Sequence, residues 1–443
     1  MPMLRSLPCS LILTLSALTP AFAQEFRVTT EVDSFDERCD SHCSLRDAIH
    51  QANRTPGQHL IRLPAGTYRL TLTTPGTPDD REEDENRNGD LDVYGQFEVR
   101  GAGPDRTIID GLNQDRLFDV LEEAELKLTS LTLRNGRHAF DGGALRNAGY
   151  TVLRQVVLEN NRVESASEAV QGGAIANYGL LDIYRSELRN NVARSRQGTY
   201  SRGGAIFNAL VLQVRDSRLQ GNQALGGRNT LSSGGALYSF GSADVARALL
   251  LSNRSDGDGS AISNQQMGLL RLVNATLRDN RGAGSTVSNG QPTGALAQLG
   301  LIHVTLVQNT GGGLDNQGDL RVRNSLLLGN RDGQGQVSNC QDSKRGSVSA
   351  RGLMVDPSSP CKADLRIADG ELFRQVLQPF HDDGQLHAGY LPRPRGMAVD
   401  AVFESCPSHD QRSLPRPVDG NGDGDPRCDL GALELTAPPA RPR

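Results

Sequence analysis

The middle of this chain repeats one short pattern about every 21 to 31 residues, and that repeat restricts the fold more than any other feature. One half of the pattern is Gly-Gly-Ala, then Leu or Ile, and two residues later Asn, as in residues 142–147, 172–177 and 203–208. The other half is a short apolar stretch that ends in Asn. A repeat of this length, made of short stretches separated by Gly and Asn, is typical of a solenoid.

The repeating unit predicts β-strands rather than helices. Its apolar stretches are short, and apolar residues alternate with polar ones, as in residues 180–184 and 212–215. One coil cannot bury its inner face alone, so stacked coils must share a core. The Gly-Gly step permits positive φ and close backbone approach at a corner, and parallel crossovers are overwhelmingly right-handed. We therefore predict an all-β, right-handed, single-stranded parallel β-helix.

The Asn that closes the second half of each repeat predicts an internal ladder of side-chain amides. Asn tolerates the left-handed backbone conformation, and its amide can bond to the Asn in the coil above and in the coil below. We predict a structural role for the set formed by Asn161, Asn191, Asn222, Asn253, Asn280, Asn309 and Asn330.

The two ends of the chain differ from the repeats. The first 23 residues have the pattern of a secretion signal that ends in Ala21-Phe22-Ala23. We expect an exported protein, extracellular or on the cell surface, with the periplasm as the alternative. Six cysteines then remain, all outside the repeats, and an even number in an exported chain indicates disulfides. Other pairings are open, but the cysteines fall into three local couples: Cys39 with Cys43, Cys340 with Cys361, and Cys406 with Cys428.

A short amphipathic helix is predicted to cover the N-terminal end of the solenoid. Ser44 is suited to be its N-cap, with Asp47 three residues later in a capping-box arrangement. The apolar residues that follow recur at helical spacing and would face the coils. The expected order is a signal peptide at 1–23, an N-terminal cap at 24–58, the β-helix at 59–335, a disulfide-bonded C-terminal cap at 336–435 and a disordered tail at 436–443.

Several motifs resemble those of known bacterial families. Residues 43–49, Cys-Ser-Leu-Arg-Asp-Ala-Ile, resemble the signature of the CSLREA domain, with Asp47 in place of the usual Glu. Asn339-Cys340, Ala398-Val399-Asp400 and residues 428–434 resemble the choice-of-anchor Q domain. The Gly-Gly-Ala-Ile repeats are similar to those of polymorphic outer-membrane proteins, which are adhesin-like surface β-helices. These resemblances imply a right-handed, pectate-lyase-like solenoid outside the cell, and they carry no catalytic residue that can be transferred.

An enzyme is the main alternative, because right-handed β-helices commonly host polysaccharide lyases and glycoside hydrolases. Glycoside hydrolysis needs two carboxylates that flank the bond, and no His in the chain has the Gly-His-Gly context of polygalacturonases. The nearest approach to a lyase site is Asp256-Gly257-Asp258 with Arg254, but Asp-Gly is also ordinary turn chemistry. We expect no catalytic residue. A structural envelope or matrix component is the third alternative.

One acidic stretch is like the start of an EF-hand calcium loop. It has oxygen ligands at alternate positions and Gly at the sixth, but Gly95 stands where the bidentate Glu would be. A solvated acidic loop is the simpler interpretation, and apart from structural calcium we expect no cofactor. The candidate ligands are Asp84, Asn86, Asn88 and Asp90.

Three consecutive repeats carry long polar insertions between the ladder Asn and the next Gly-Gly. Equal insertion points on stacked coils place the insertions side by side, and such insertions often form the binding face of a solenoid. Tolerated insertions without a function are the alternative. Their arginines suit an anionic glycan or a surface protein. The predicted binding residues are Arg162, Arg194, Arg196, Tyr200, Arg202 and Arg228.

Charge and composition argue against other partners. The net charge is −5, and the sequence shows no basic stripe of the kind that nucleic acid requires. No apolar run after the signal approaches the length of a membrane span. We predict an exported, monomeric binding or adhesion module without catalytic activity.

Overall fold

Parallel strands stack coil upon coil in the computed structural model, which describes residues 23–73, 85–227, 230–382, 384, 388–402 and 405–436. All but the last residue of the predicted signal, and all but the first residue of the predicted tail, lie outside these residues. The named strands pair in parallel, as in residues 150–159 with residues 125–134. This pairing confirms the predicted parallel β-helix.

Four sheets form the sides of the coils in the described residues. Sheet A contains Gln24–Arg27, Gln58–Arg62, Gly66–Arg69, Gln96–Arg100, Thr107–Asp110, Glu125–Arg134, Tyr150–Glu159, Leu180–Tyr184, Glu187–Arg189, Val211–Arg215, Arg218–Gln220, Ser242–Ala246, Leu249–Leu251, Leu269–Arg278, Gln298–Val307, Asp319–Leu328, Val348–Val355 and Leu365–Arg366. Sheet B contains Leu91–Val93, Phe118–Val120, Leu145–Asn147, Ile175–Asn177, Ile206–Asn208, Leu237–Ser239, Ile262–Asn264, Val287–Asn289, Leu314–Asn316 and Cys340–Asp342.

The two smaller sheets lie on the side of the coils that carries the insertions. Sheet C contains Arg137–His138, Arg162–Ser165, Val192–Ser195, Gln223–Gly226, Arg254–Ser255 and Arg281–Gly282. Sheet D contains Val170–Gln171, Tyr200–Arg202 and Leu231–Ser233.

Inward-facing side chains of sheets A and B form one continuous apolar core. In sheet B the first residue of each strand stacks on its equivalent in the next coil, as Leu145, Ile175 and Ile206 do, and all three are fully buried. Each such side chain contributes roughly 1.5–3 kcal/mol by burial. The corner before each strand needs its two glycines: Gly172 has φ 69°, and a Cβ on Gly173 would collide with the carbonyl oxygen of the next coil.

The predicted Asn ladder is present and runs the length of the repeats. In each step the Nδ2 of one Asn donates to the Oδ1 of the next at 2.9–3.0 Å, from Asn161 to Asn191 and onward to Asn330. Asn330 then donates to Asn339 at 2.9 Å, so the ladder extends one step farther than predicted. These amides are buried and mutually satisfied, which confirms their structural role.

A second ladder follows the Gly-Gly corner and was not predicted as such. The Asn that ends the sheet B strands donates to its equivalent one coil on, at 2.7 Å from Asn147 to Asn177 and at 2.7 Å from Asn177 to Asn208. Asn208 then donates to Ser239, and a separate run begins at Asn264. The Asn that both halves of the repeat contain therefore has one function, the joining of neighbouring coils.

The N-terminal end is covered as predicted by a helix, Leu45–Arg54. The Ser44 hydroxyl oxygen accepts from the Asp47 backbone N–H at 3.0 Å, and the Ser44 hydroxyl donates to the Asp47 carboxylate at 2.7 Å. The carboxylate does not return to Ser44 N–H as in a full capping box; it accepts from the backbone of Asp36 and Glu37. The three local disulfides are confirmed: Cys39–Cys43, Cys340–Cys361 and Cys406–Cys428.

Beyond the repeats, the chain folds back onto the outer face of sheet A. Parallel strands continue past residue 335 to Leu365–Arg366 because their backbones still have a coil to pair with. A 3-10 turn, Asp369–Glu371, and a single π-helical turn, Leu372–Val376, follow. A second apolar cluster joins this C-terminal region to sheet A, with Leu326 and Leu328 packed against Val376, Tyr390 and Leu430. Among the described residues no helix is long and apolar enough to cross a membrane.

Candidate ligand-binding face

The described residues of the three insertions, 162–171, 192–202, 223–227 and 230–233, form an ordered wing rather than loops. Their first parts pair in sheet C and their last parts pair in sheet D, with Glu164 opposite Arg194 and Val170 opposite Ser201. Val163, Val170 and Ala193 are buried between the two sheets. The insertions are therefore side by side as predicted, but strand pairing and a small apolar core of their own hold them there.

An outward-facing position at the start of sheet C carries arginine on most coils. Except on the first of these coils, it is the residue directly after the ladder Asn, and strand pairing sets these residues in one register. We call this column the arginine row. Rungs of a sheet are about 4.8 Å apart, so the row is about 34 Å long. Its positions are Arg137, Arg162, Val192, Gln223, Arg254, Arg281, Thr310 and Arg331.

Two shallow hollows lie along the row where it passes the wing. The first, of about 210 Å³, is lined by Asn160, Asn161, Arg162, Glu164, Asn190, Val192 and Arg194. The second, of about 300 Å³, is lined by Arg194, Ser195, Arg196, Leu225, Gly226, Gly227, Arg254 and Asp256. Arg194 lines both hollows, so they form one continuous surface. Three of the predicted binding residues are thus brought together here: Arg162, Arg194 and Arg196.

Some of these arginines are paired with carboxylates and others are not. Arg196 Nη2 lies 3.1 Å from Glu164 Oε1, and Arg254 Nη2 lies 2.8 Å from Asp256 Oδ1. Within the part of the chain that the structure describes, neither Arg162 nor Arg194 forms an ion pair, and both are exposed. An unpaired, exposed guanidinium presents a planar fork of donors to a carboxylate, sulfate or phosphate.

The other predicted binding residues belong to a different surface. Tyr200 and Arg202 lie on sheet D, and the Arg202 guanidinium stacks on the Tyr200 ring at 3.9 Å and on the Tyr238 ring at 4.8 Å. Tyr238 is almost fully buried on the outer face of sheet B. Arg202 therefore packs between the wing and that sheet. Arg228 lies outside the described residues. The predicted set is therefore divided between two faces of the wing.

The predicted calcium loop is organised around an arginine of the cap helix. Arg46 is fully buried, and its guanidinium donates to the backbone carbonyls of Asn86 at 3.3 Å, Gly89 at 2.9 Å and Asp90 at 3.1 Å. Its Nε lies 2.9 Å from the Asp33 carboxylate.

The candidate calcium ligands have other partners. The Asn86 side-chain oxygen accepts from the backbone of Asp92 at 2.9 Å, and Asp90 lies 3.2 Å from Arg116. Asn88 is part of the same loop, and Asp84 lies outside the described residues. The Arg46 guanidinium lies among the backbone carbonyls of this loop. The loop therefore surrounds a positively charged side chain in the region where the sequence suggested a bound calcium ion.

A polar cluster that the sequence did not indicate lies beside the first coil of the wing. Arg116, which is 1 % exposed, lies 3.7 Å from both Asp119 and Asp141, and its Nη2 lies 3.2 Å from His138 Nε2. The Tyr178 hydroxyl donates to Asp141 at 2.9 Å.

The charges of this cluster are matched internally. Burial would raise the pKa of Asp141, but the hydrogen bond with His138 and the charge of Arg116 outweigh it and lower the pKa to about 2. Burial and the Asp141 charge raise the pKa of the Tyr178 hydroxyl. At neutral pH the carboxylate is ionised and the phenol is protonated.

Comparisons with known proteins place the chain in no named family. No family model matches it, and no curated protein matches it. Similar folds occur among solved structures. The pectate lyase Pel9A is 14% identical with a TM-score of 0.46, over 94% of this chain and 97% of that chain. The PL6 family alginate lyase AlyGC is 12% identical with a TM-score of 0.33, over 82% of this chain and 55% of that chain.

A third similar structure is the catalytic unit of a GH87 alpha-1,3-glucanase from Streptomyces thermodiastaticus strain HF3-3. It is 13% identical with a TM-score of 0.28, over 69% of this chain and 65% of that chain. At these identities the likeness is one of coil architecture, and we transfer neither substrate nor residue role from it.

Proposed function

We propose that this protein is an exported, non-catalytic binding module that holds an anionic glycan on the arginine row and the adjoining hollows. The observation that carries this proposal is the register of the row: Arg162, Arg254 and Arg281 are exposed on one face and stacked on parallel rungs. Matched arginines on one face of a chain with net charge −5 form a local positive surface.

Exposed amides beside the arginine row supply the uncharged part of such a site. Asn160 and Asn190 are exposed at the edge of the first hollow, beside Arg162 and Arg194. Amide side chains both donate and accept hydrogen bonds, which suits the hydroxyl groups of sugars. We place the protein outside the cell, on its surface or in the periplasm, since the three disulfides are of the kind that persists in oxidising compartments. The CSLREA and choice-of-anchor Q resemblances agree with that location.

The test is direct binding of the purified protein to a panel of acidic and neutral polysaccharides, measured by biolayer interferometry. We expect binding to acidic members alone, weakened by salt. Arg162→Glu and Arg194→Glu should each weaken it by about tenfold or more, as expected for loss of one charged hydrogen bond. Arg321→Glu, an exposed arginine on sheet A, is the matched control. If all three variants bind equally tightly, the arginine row is not part of the binding site.

A carbohydrate-active enzyme is the second candidate, favoured by the partial exposure of Asp141 and His138, at 16% and 14% of their side chains. An ionised carboxylate beside a histidine could accept a proton from a sugar bound over the cluster. Mass-spectrometric detection of oligosaccharides released from the same panel tests this. Release that disappears in Asp141→Asn and persists in Asp256→Asn would establish the enzyme and assign its site.

A further inference from the structure

The arginine row has two parts, separated by the two rungs that carry Val192 and Gln223. Arg137 and Arg162 lie on consecutive rungs on one side, with Arg194 beside the row on the next rung, and Arg254 and Arg281 lie on consecutive rungs on the other. Between them, Gln223 is half-buried and Leu225 is buried. A single small anion could occupy either part. The two parts are related only by their position on one line along the solenoid.

We propose that the ligand is a linear acidic polysaccharide that lies along the solenoid axis, across the strands, and contacts both parts of the arginine row at once. This inference rests on the proposed function and names the shape and orientation of its ligand. Three rung steps separate Arg162 from Arg254, which is about 14 Å at the spacing of sheet strands. A chain shorter than that cannot bridge them.

The distribution of carboxylates supports this orientation. Glu164 and Asp256 are each held by a neighbouring arginine, Arg196 and Arg254, so they add little repulsion toward a passing anion. Arg281 forms no ion pair within the described residues and is exposed one rung beyond the second hollow. An acidic group of the ligand can pair with Arg281 only if the ligand continues along the row beyond the second hollow.

The surface between the charges favours sugars over nucleic acid. Among the residues that the structure describes, the side chains lining the two hollows include no aromatic ring. Single-stranded nucleic acids gain much of their affinity by stacking bases on such rings. The amides of Asn160, Asn190 and Gln223 instead offer hydrogen bonds to hydroxyl groups between charged units.

The length of the ligand provides the test. Linear uronic acid oligosaccharides of two to twelve units, and a sulfated series of the same lengths, are titrated against the purified protein by isothermal calorimetry. We expect weak binding of the shortest members and at least a tenfold gain once the oligomer spans both parts of the row, because the second contact becomes intramolecular. The two series separate a carboxylate ligand from a sulfate ligand.

Arg281→Glu is the deciding variant. It should lower the affinity for long oligomers by about tenfold and that for short oligomers by only about twofold, because a short oligomer can still bind at the part that holds Arg137 and Arg162. Arg162→Glu should act in the same way from the other part. Arg321→Glu, on sheet A, should change neither, and unchanged circular dichroism confirms that each variant is folded. Arg281→Gln repeats the test without charge reversal.

The contrary outcomes are distinguishable. Binding that does not grow with length, or an Arg281→Glu variant that matches the parent at every length, would overturn the axial orientation and leave the proposed function intact. No binding by either series would overturn the proposed function itself. Tighter binding of a DNA duplex than of both glycan series would replace the polysaccharide by nucleic acid.

Discussion

The two terminal regions of the chain each bury an arginine side chain completely, and the surroundings of the two arginines differ. At the N-terminal end, Arg46 is held by one carboxylate, from Asp33, and by backbone carbonyls of the loop before the first sheet B strand. At the C-terminal end, Arg416 lies 3.0 Å from the Glu434 carboxylate, and its Nη1 lies 2.8 Å from His303 Nδ1.

The C-terminal arginine lies among several buried ionisable side chains, whereas the N-terminal one lies mostly among peptide carbonyls. Burial and the Glu434 charge raise the pKa of Asp429 to about 7. Burial and then the charge of Arg416 lower the pKa of His303 to about 3. The partners of Arg46 are mostly peptide carbonyls. The N-terminal cap is therefore held by hydrogen bonds to a loop, and the C-terminal region is held on sheet A by a balance of buried charges.

The largest effect is expected from Arg416→Met. The change leaves Glu434 buried without its cation, at a cost of about 3–5 kcal/mol of unfolding free energy. Denaturant titration followed by circular dichroism measures it. Arg427→Met, which removes an exposed arginine paired with Asp425 in the same region, should leave the unfolding midpoint where it is. Equal midpoints for the two variants would mean that the buried pair does not hold this end.

A smaller loss, of about 2 kcal/mol, is expected from Arg46→Met. Three loop carbonyls lose their donor, while Asp33 keeps the backbone N–H groups of Thr71 and Leu72 at 2.7 and 2.9 Å. The same titration measures the loss, with Arg38→Met as the exposed control. A loss as large as that of Arg416→Met would show that the two ends are equivalent in energy despite their chemistry.

The pH dependence of stability should have opposite signs for the two shifted groups at the C-terminal end. Asp429 binds its proton more tightly when folded, so its contribution is complete below about pH 4 and is lost as the pH rises toward 7. His303 binds its proton less tightly when folded, so its contribution is present above about pH 6.5 and is lost as the pH falls toward 3. Between these pH limits, the contributions of Asp429 and His303 change the unfolding free energy in opposite directions.

Two variants separate these slopes. Relative to Asp429→Asn, the parent protein should gain about 1 kcal/mol of unfolding free energy per unit of pH decrease between 7 and 4. Relative to His303→Gln, it should lose stability as the pH falls from 6.5. Denaturant titrations at pH 4.5, 5.5 and 6.5 measure both, with Asp425→Asn as the exposed control. Parallel curves for all four proteins would contradict the buried balance of charges.

The smallest expected effect is that of calcium, which should leave the melting temperature unchanged. The Arg46 guanidinium already occupies the carbonyls of the N-terminal loop. Calcium is added to protein treated with chelator, and thermal unfolding is followed by circular dichroism. A rise in melting temperature that disappears in Asp90→Asn would show that the loop binds calcium despite the arginine. The surroundings of Arg46 would then differ less from those of Arg416.

The sequence predicts the features of this fold that repeat locally. The coil period, the Gly-Gly corners, the ladder from Asn161 to Asn330 and the cap helix after Ser44 each depend on a few neighbouring residues with fixed backbone requirements. The three disulfides joined cysteines close in sequence, and proximity alone indicated them.

The features that sequence reasoning missed depend on pairing between coils. Arg162 and Arg254 are far apart in the chain, and no local window shows a basic stripe, yet stacking puts them on one line. Aligning the residue that follows each ladder Asn would have shown the row. The contacts of Arg46 with the loop at Gly89, and of His138 with Arg116, had no such signal, because neither partner belongs to the repeat.

The Asn ladder makes the coils interchangeable. Each Asn gives one amide hydrogen to the next coil and receives one from the coil before, with nearly the same geometry at every step. A coil gained or lost by in-frame duplication or deletion within the gene would leave both neighbours with the partner they require. The arginine follows the same Asn on several coils, so each such event would also change the length of the binding surface. Variation in coil number could thus retune the preferred size of the ligand without any substitution.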